Sequence, residues 1–156
     1  MLIVAGFLCS MKYSDMYSIK WVVFFCLSSV FAGCQFPGHR TIAPFATDGC
    51  SDFPDGTPAH KDLWRKCCVA HDLKYWAGGS VDERMNADLE LRVCVRSVGE
   101  PAIADLMLAG VRVGGSPWWP TRFRWGYGWP YSNGYSKLNQ EETEQLLRQK
   151  EKQNLN

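Results

Sequence analysis

The chain has almost no excess of charge: 17 lysines and arginines face 16 aspartates and glutamates over 156 residues. Nothing in that balance signals a polyanion-binding surface, so no nucleic-acid partner is expected. The sequence also lacks an apolar run long enough to cross a bilayer as a helix. Trp21 to Phe31 has the length of a signal-peptide core instead. Zinc-knuckle spacing is missing too, since no C-x-x-C pair occurs among the 7 cysteines.

What is present at the N-terminus reads as targeting. Tyr17-Ser18-Ile19-Lys20 supplies a short charged start before the apolar run, and Phe31-Ala32-Gly33-Cys34 closes it. This end resembles a bacterial lipobox, with Phe where Leu is usual, in which the Cys34 thiol is acylated after cleavage before it. Ordinary signal-peptidase cleavage near Ala32 or Gly33 is the alternative. A second apolar run, Leu2 to Leu8, makes Met11 or Met16 a candidate start. Residues 1–33 are therefore expected to be a targeting segment, 34–46 an anchor and linker, 47–135 the folded domain and 136–156 a polar tail. The protein is expected to be exported, as an envelope lipoprotein held by Cys34 or else periplasmic or secreted.

Cys9 and Cys26 go with the targeting segment and Cys34 with the anchor, which leaves Cys50, Cys67, Cys68 and Cys94 for the domain. Four cysteines in an exported domain imply two disulfides. Neighbours on a helix point about 100° apart, so Cys67 and Cys68 should each reach elsewhere, one to Cys50 and one to Cys94. A zinc site from Cys50, Cys67, Cys68 and His71 is the disfavoured alternative.

Pro58 to Trp76, with Pro at its start and Gly78-Gly79 past its end, is punctuated as a helix. On it, His71 shares a stripe with Cys67 and Tyr75, while Cys68, Asp72 and Trp76 share the next. Ser80-Val81-Asp82-Glu83 has the capping-box pattern, which predicts a second helix from Val81 to Val98, antiparallel to the first across a short turn. If Cys67 pairs with Cys94, climbing four residues to His71 covers roughly 6 Å and descending six to Asp88 roughly 9 Å. His71 and Asp88 should then meet, with Tyr75 one turn further placed to bond the same carboxylate. Taken alone, Asp88 would read as a solvent-facing helix residue. The loop Asp48 to Pro58 is rich in Asp, Ser, Gly and Pro, a solvated turn by itself but also a supply of oxygen ligands.

These residues resemble the secreted phospholipase A2 superfamily. Cys67-Cys68-Val69-Ala70-His71-Asp72 matches its C-C-x-x-H-D helix, Tyr75 matches a Tyr of its hydrogen-bond network, and Asp88, six before Cys94, matches its His-orienting Asp. The resemblance covers about Asp48 to Val98. It implies pairs Cys50 to Cys68 and Cys67 to Cys94, and a mainly α fold built on a disulfide-linked antiparallel helix pair, with a short extra helix and an aromatic C-terminal extension. It also implies a calcium-dependent esterase acting on a glycerophospholipid membrane or micelle, with His71 as base on a water, Asp88 and Tyr75 supporting it, and Ca²⁺ on Asp72 and the carbonyls of Gly49, Ser51 and Phe53. The loop departs from the family: it is about two residues longer before the motif than in the animal enzymes, and Ser51 and Phe53 stand where glycines are usual, so Asp52 or Asp55 is a substitute ligand. The matching positions for a further inter-helix disulfide are Lys74 and Ala87, absent together. The short inter-helix turn suits compact microbial members. A non-catalytic lipid-binding protein of the same fold, or an envelope lipoprotein, is the alternative function.

Pro101 to Val113 is helical in character and apolar on most faces, so it is expected to be buried or to lie against lipid. Phe123 to Tyr131 alternates strictly, five aromatics against Arg, Gly and Pro, as a strand would. Trp118, Trp119, Trp125 and Trp129 are candidate membrane-interface residues, and no acidic residue occurs from Val111 to Lys137. A flap covering a thin core is the other reading of the same aromatics.

Overall fold

A computed structural model describes residues 40–155. The targeting segment and Cys34 lie outside the described residues. Those described are mainly helical, with four helices and no strand: α1 (Arg65–Ala77), α2 (Val81–Ser97), α3 (Pro101–Gly114) and α4 (Gln140–Lys152). None is long and apolar enough to cross a membrane.

Helix α1 starts later than its Pro58 signal suggested. The Thr57 hydroxyl accepts the His60 N–H at 3.1 Å and the two backbones exchange bonds at 3.0 and 3.1 Å, a closed turn that competes with helix. Trp64 anchors the next step, its indole N–H donating to the Pro54 carbonyl at 2.6 Å. Helix α2 begins where the capping box placed it: the Ser80 hydroxyl accepts the Glu83 N–H, and Glu83 Oε2 accepts the Ser80 N–H at 2.7 Å. Disulfides join Cys50 to Cys68 and Cys67 to Cys94. The second ties the first turn of α1 to the last turn of α2. With only 78–80 between the helices, they must run antiparallel. Trp64, Leu91 and Val95 pack around the disulfides to form the main core. With all four thiols oxidised, the zinc alternative is closed.

Helix α3 packs on α2, where Arg92 and Arg96 hold Asp105 at 2.6 and 2.9 Å. Its expected burial is not met: only Ala104 and Met107 are buried, while Leu106 and Val113 are 57% and 74% exposed. One face of α3 meets α2, another borders a cleft, and nothing among the described residues covers the rest.

The aromatic segment is not a strand. It folds as successive turns stapled by Arg124, whose guanidinium donates to the carbonyls of Gly126 and Trp129, each at 2.6 Å. Trp125 and Trp129 are each 1% exposed, so these two of the four candidate interface tryptophans are corrected to core residues. Their indole N–H groups donate to Gly79 O at 2.9 Å, in the turn after α1, and to Ala77 O at 2.8 Å, a carbonyl at the open end of α1. Alternation misled because a Trp every fourth residue separated by glycines fits a tight chain reversal as well as a pleat.

The polar tail contains a regular helix: α4 has its own capping box from Asn139 and Glu142. It grips the segment expected to be a linker. Gln145 accepts the Ile42 N–H at 3.2 Å and donates to Arg40 O at 3.0 Å, and Gln153 does the same for Phe45 at 2.9 and 3.1 Å. Ile42 is buried against Trp76 and Trp129, so residues 40–46 belong to the domain.

Candidate active site

A cleft of about 340 Å³ opens between the Gly49 to Phe53 loop, the α1 residues His71, Asp72 and Tyr75, and Leu106, Met107, Gly110 and Val111 of α3 with Gly115 just past its end. Its position follows from the disulfides. Cys50 to Cys68 pins the loop one turn below Asp72, and Cys67 to Cys94 fixes the register of α1 on α2.

That register brings His71 and Asp88 together. His71 Nε2 lies 3.0 Å from Asp88 Oδ1, and the Tyr75 hydroxyl donates to the same oxygen at 2.7 Å. All three side chains are buried, Asp88 completely. A carboxylate only accepts, so Nε2 carries a proton, and in the neutral ring Nδ1 is then the acceptor. Burial pushes the Tyr75 phenol up, with the Asp88 charge adding to it, so Tyr75 acts as a donor and not an acid. Gly115 makes this geometry possible, because a Cβ there would sit 2.5 Å from the Tyr75 hydroxyl.

Two arginines complete the network, and the sequence reading found neither. Arg112 Nε stands 2.9 Å from Asp88 Oδ2, an ion pair whose angle falls short of a hydrogen bond. Arg84, buried, donates through Nε to the Tyr75 hydroxyl at 3.1 Å and through a terminal nitrogen to the carbonyls of Val111 and Arg112 at 2.9 Å each. It therefore ties α2 to the C-terminal end of α3. Arg84 lies four residues before Asp88 on one helix stripe, a signal that was available. Arg112 comes from α3, whose packing no local pattern reveals.

Asp72 borders the same cleft, one helix position round from His71. Burial raises its pKa to about 6, Thr47 and His71 oppose the shift, and Asp48 and Asp55 add to it. The Thr47 hydroxyl donates to Oδ2 at 2.6 Å, which leaves Oδ1 available. A neighbouring cation would favour its charged form. No group of three or more His, Cys, Asp or Glu capable of holding a metal occurs among the described residues. A cation here would have to take neutral oxygens. Gly49, Ser51 and Phe53 line the cleft, and their carbonyls accept no hydrogen bond among the described residues. One carboxylate with free carbonyls is a donor set for a hard ion such as Ca²⁺. Asp55 is committed elsewhere, accepting the Cys50 N–H at 2.8 Å and pairing with Arg65 at 3.3 Å. Asp52 also borders the cleft and has φ +56°.

Trp118 and Trp119 lie apart from this chemistry, 60% and 54% exposed. Comparison with family models, curated proteins and solved structures finds no match to this chain.

Proposed function

We propose that this protein hydrolyses an acyl ester of a glycerophospholipid, using a water activated by His71 and a Ca²⁺ held by Asp72 with the carbonyls of Gly49, Ser51 and Phe53. The observation that carries the reading is the buried Asp88 carboxylate, which accepts from both His71 Nε2 and Tyr75 at the wall of a cleft otherwise lined mainly by apolar groups. A base positioned in this way, beside a cation site and an acyl-sized slot, suits an ester whose tail is apolar.

His71 Nδ1 takes a proton from water as the oxygen attacks the ester carbonyl. Asp88 stabilises the imidazolium that forms and keeps the ring from turning. The imidazolium then returns the proton to the departing glycerol oxygen as the carbon–oxygen bond breaks. Fatty acid and lysolipid leave, and His71 is again neutral. When bound, Ca²⁺ supplies positive charge to the lipid phosphate and to the oxygen on which negative charge develops. No serine or cysteine nucleophile is needed, which agrees with the cleft's cysteines being in disulfides.

The reading places the domain at a lipid surface, with Leu106 at the cleft and Val113, Trp118 and Trp119 elsewhere as exposed apolar contacts. Acylation at Cys34 would hold it there permanently. The fold reading that goes with this function is the disulfide-linked helix pair of the phospholipase A2 type.

A non-catalytic lipid-binding protein is the second reading, favoured by the single carboxylate at the cation site and by Thr47 already occupying one of its oxygens. Fatty-acid release from mixed phospholipid vesicles, with Ca²⁺ and with chelator, separates the two. Hydrolysis supports the first reading; calcium-dependent vesicle binding without release supports the second.

A further inference from the structure

A second cavity, of about 290 Å³, adjoins the first and shares Ser51, Asp72 and Phe123 with it. Its outer wall is polar and aromatic, made by Asp48, Arg122 and Tyr127. We propose that this cavity is a headgroup site that selects a phospholipid whose head carries an alkylammonium, the zwitterionic choline or ethanolamine class. The inference rests on the hydrolytic reading for the placement of the lipid phosphate at Asp72.

Three observations support it. Asp72 stands on the wall common to both cavities, so a lipid with its ester beside His71 and its phosphate at Asp72 has its head beyond Asp72, in the second cavity. That cavity carries an ion pair of its own: Arg122 lies 3.1 Å from Asp48 Oδ2, and Ser51 donates to Asp48 Oδ1 at 2.7 Å. Arg122 is 75% exposed on its side chain and Asp48 45%, so this pair is weak in water and open to exchange. A zwitterion is its complement, ammonium toward Asp48 and phosphate oxygen toward Arg122. An anionic glycerol head would satisfy Arg122 and leave Asp48 opposite nothing.

The third observation is aromatic. The Tyr127 ring is held in place by its hydroxyl, which donates to Ala46 O at 2.7 Å, and Phe123 borders both cavities. Tyr127 lines the same cavity as Asp48 and Asp72, so an aromatic ring and two carboxylates border one space. An aromatic face next to a carboxylate is the arrangement that binds alkylated ammonium.

The test is calorimetric titration of the full chain, in Ca²⁺, with glycerophosphocholine, glycerophosphoglycerol and choline alone, alongside vesicle hydrolysis. The proposal expects glycerophosphocholine to bind about tenfold tighter than glycerophosphoglycerol. Asp48→Asn should erase that preference without weakening glycerophosphoglycerol, and Tyr127→Leu should reduce it. Equal binding of the two esters, a preference that survives Asp48→Asn, or no binding of any probe overturns the site. Choline binding as tightly as its glycerophosphate ester also overturns it, pointing to a free-amine site. Selective binding without hydrolysis keeps the headgroup site and removes the hydrolytic reading. Hydrolysis without selectivity does the reverse.

Discussion

Arg112 reaches across from α3 to stand 2.9 Å from the Asp88 oxygen that His71 does not use. Asp88 is thus held at both oxygens, by α1 through His71 and Tyr75 and by α3 through Arg112. The His71 ring takes its orientation from a carboxylate hydrogen-bonded at one oxygen and ion-paired at the other. Arg112→Gln should lower turnover by about tenfold or more while changing KM little, because it loosens the base and not the slot. It should also cost roughly 2 kcal/mol of stability, below the cost of breaking a fully buried pair, since the Arg112 side chain is 27% exposed. Arg112→Lys should recover part of both. Steady-state kinetics and denaturant titration measure this; unchanged turnover in a folded Arg112→Gln protein would contradict it.

Asp72 predicts the pH dependence of calcium stabilisation. Its folded pKa of about 6 lies above the ordinary 3.8 because burial disfavours the charge, so the folded state holds the proton more tightly than the unfolded one. The calcium-free protein should therefore lose stability from this group as pH rises from about 4 to about 6, and carry the full cost above that. The ceiling is about 3 kcal/mol from the shift itself, and partial exposure reduces it to on the order of 1 kcal/mol. Ca²⁺ should raise Tm at pH 7.5 and lose its effect below pH 5. Asp72→Asn should melt higher than the wild type in chelator at pH 7.5 and ignore Ca²⁺. Thermal melts at the two pH values decide it, and a calcium response retained in Asp72→Asn would count against the assignment.

The two disulfides close loops of 18 and 27 residues, so loop entropy separates their contributions by only about 0.4 kcal/mol. Replacing either pair by alanines should cost a similar 2–4 kcal/mol. Activity should part them. Loss of Cys50 to Cys68 frees the loop that faces Asp72, and calcium affinity should fall first; loss of Cys67 to Cys94 loosens the register of His71 on Asp88, and turnover should fall at saturating Ca²⁺. Calcium titration of the two double variants would show it.

The four tryptophans once alike in sequence should behave as two classes. Trp125→Ala or Trp129→Ala removes a buried indole and its bond to a carbonyl, at about 3–5 kcal/mol. Trp118→Ala and Trp119→Ala should cost about 1 kcal/mol or less and instead weaken vesicle binding severalfold. Melting curves and vesicle sedimentation of the four variants test the division.

Part of this was legible because it is local or fixed by a covalent link. The Ser80 and Glu83 pattern fixed the start of α2, and the spacing of Cys67, His71, Asp88 and Cys94 was enough to bring His71 and Asp88 together once antiparallel packing was assumed. What failed to read was tertiary. Glutamines 145 and 153 look solvated in sequence, yet they pair with the backbone of residues 40–45. Trp125 and Trp129 are amphipathic, and their inward orientation goes with indole bonds to the carbonyls of Gly79 and Ala77 that no local pattern reveals. The exposed face of α3 was not legible because apolar content alone leaves burial and contact with lipid both open, and burial was favoured.

The most direct test of the account is fatty-acid release from phospholipid vesicles in Ca²⁺ by the wild type and by His71→Gln, matched for fold by circular dichroism and for intact disulfides. Glutamine preserves a hydrogen bond to Asp88 and removes the base. The account predicts release by the wild type and a loss of at least about a hundredfold in the variant. Comparable release by both proteins would show that His71 does not activate the water, and the mechanism proposed for this cleft would be wrong.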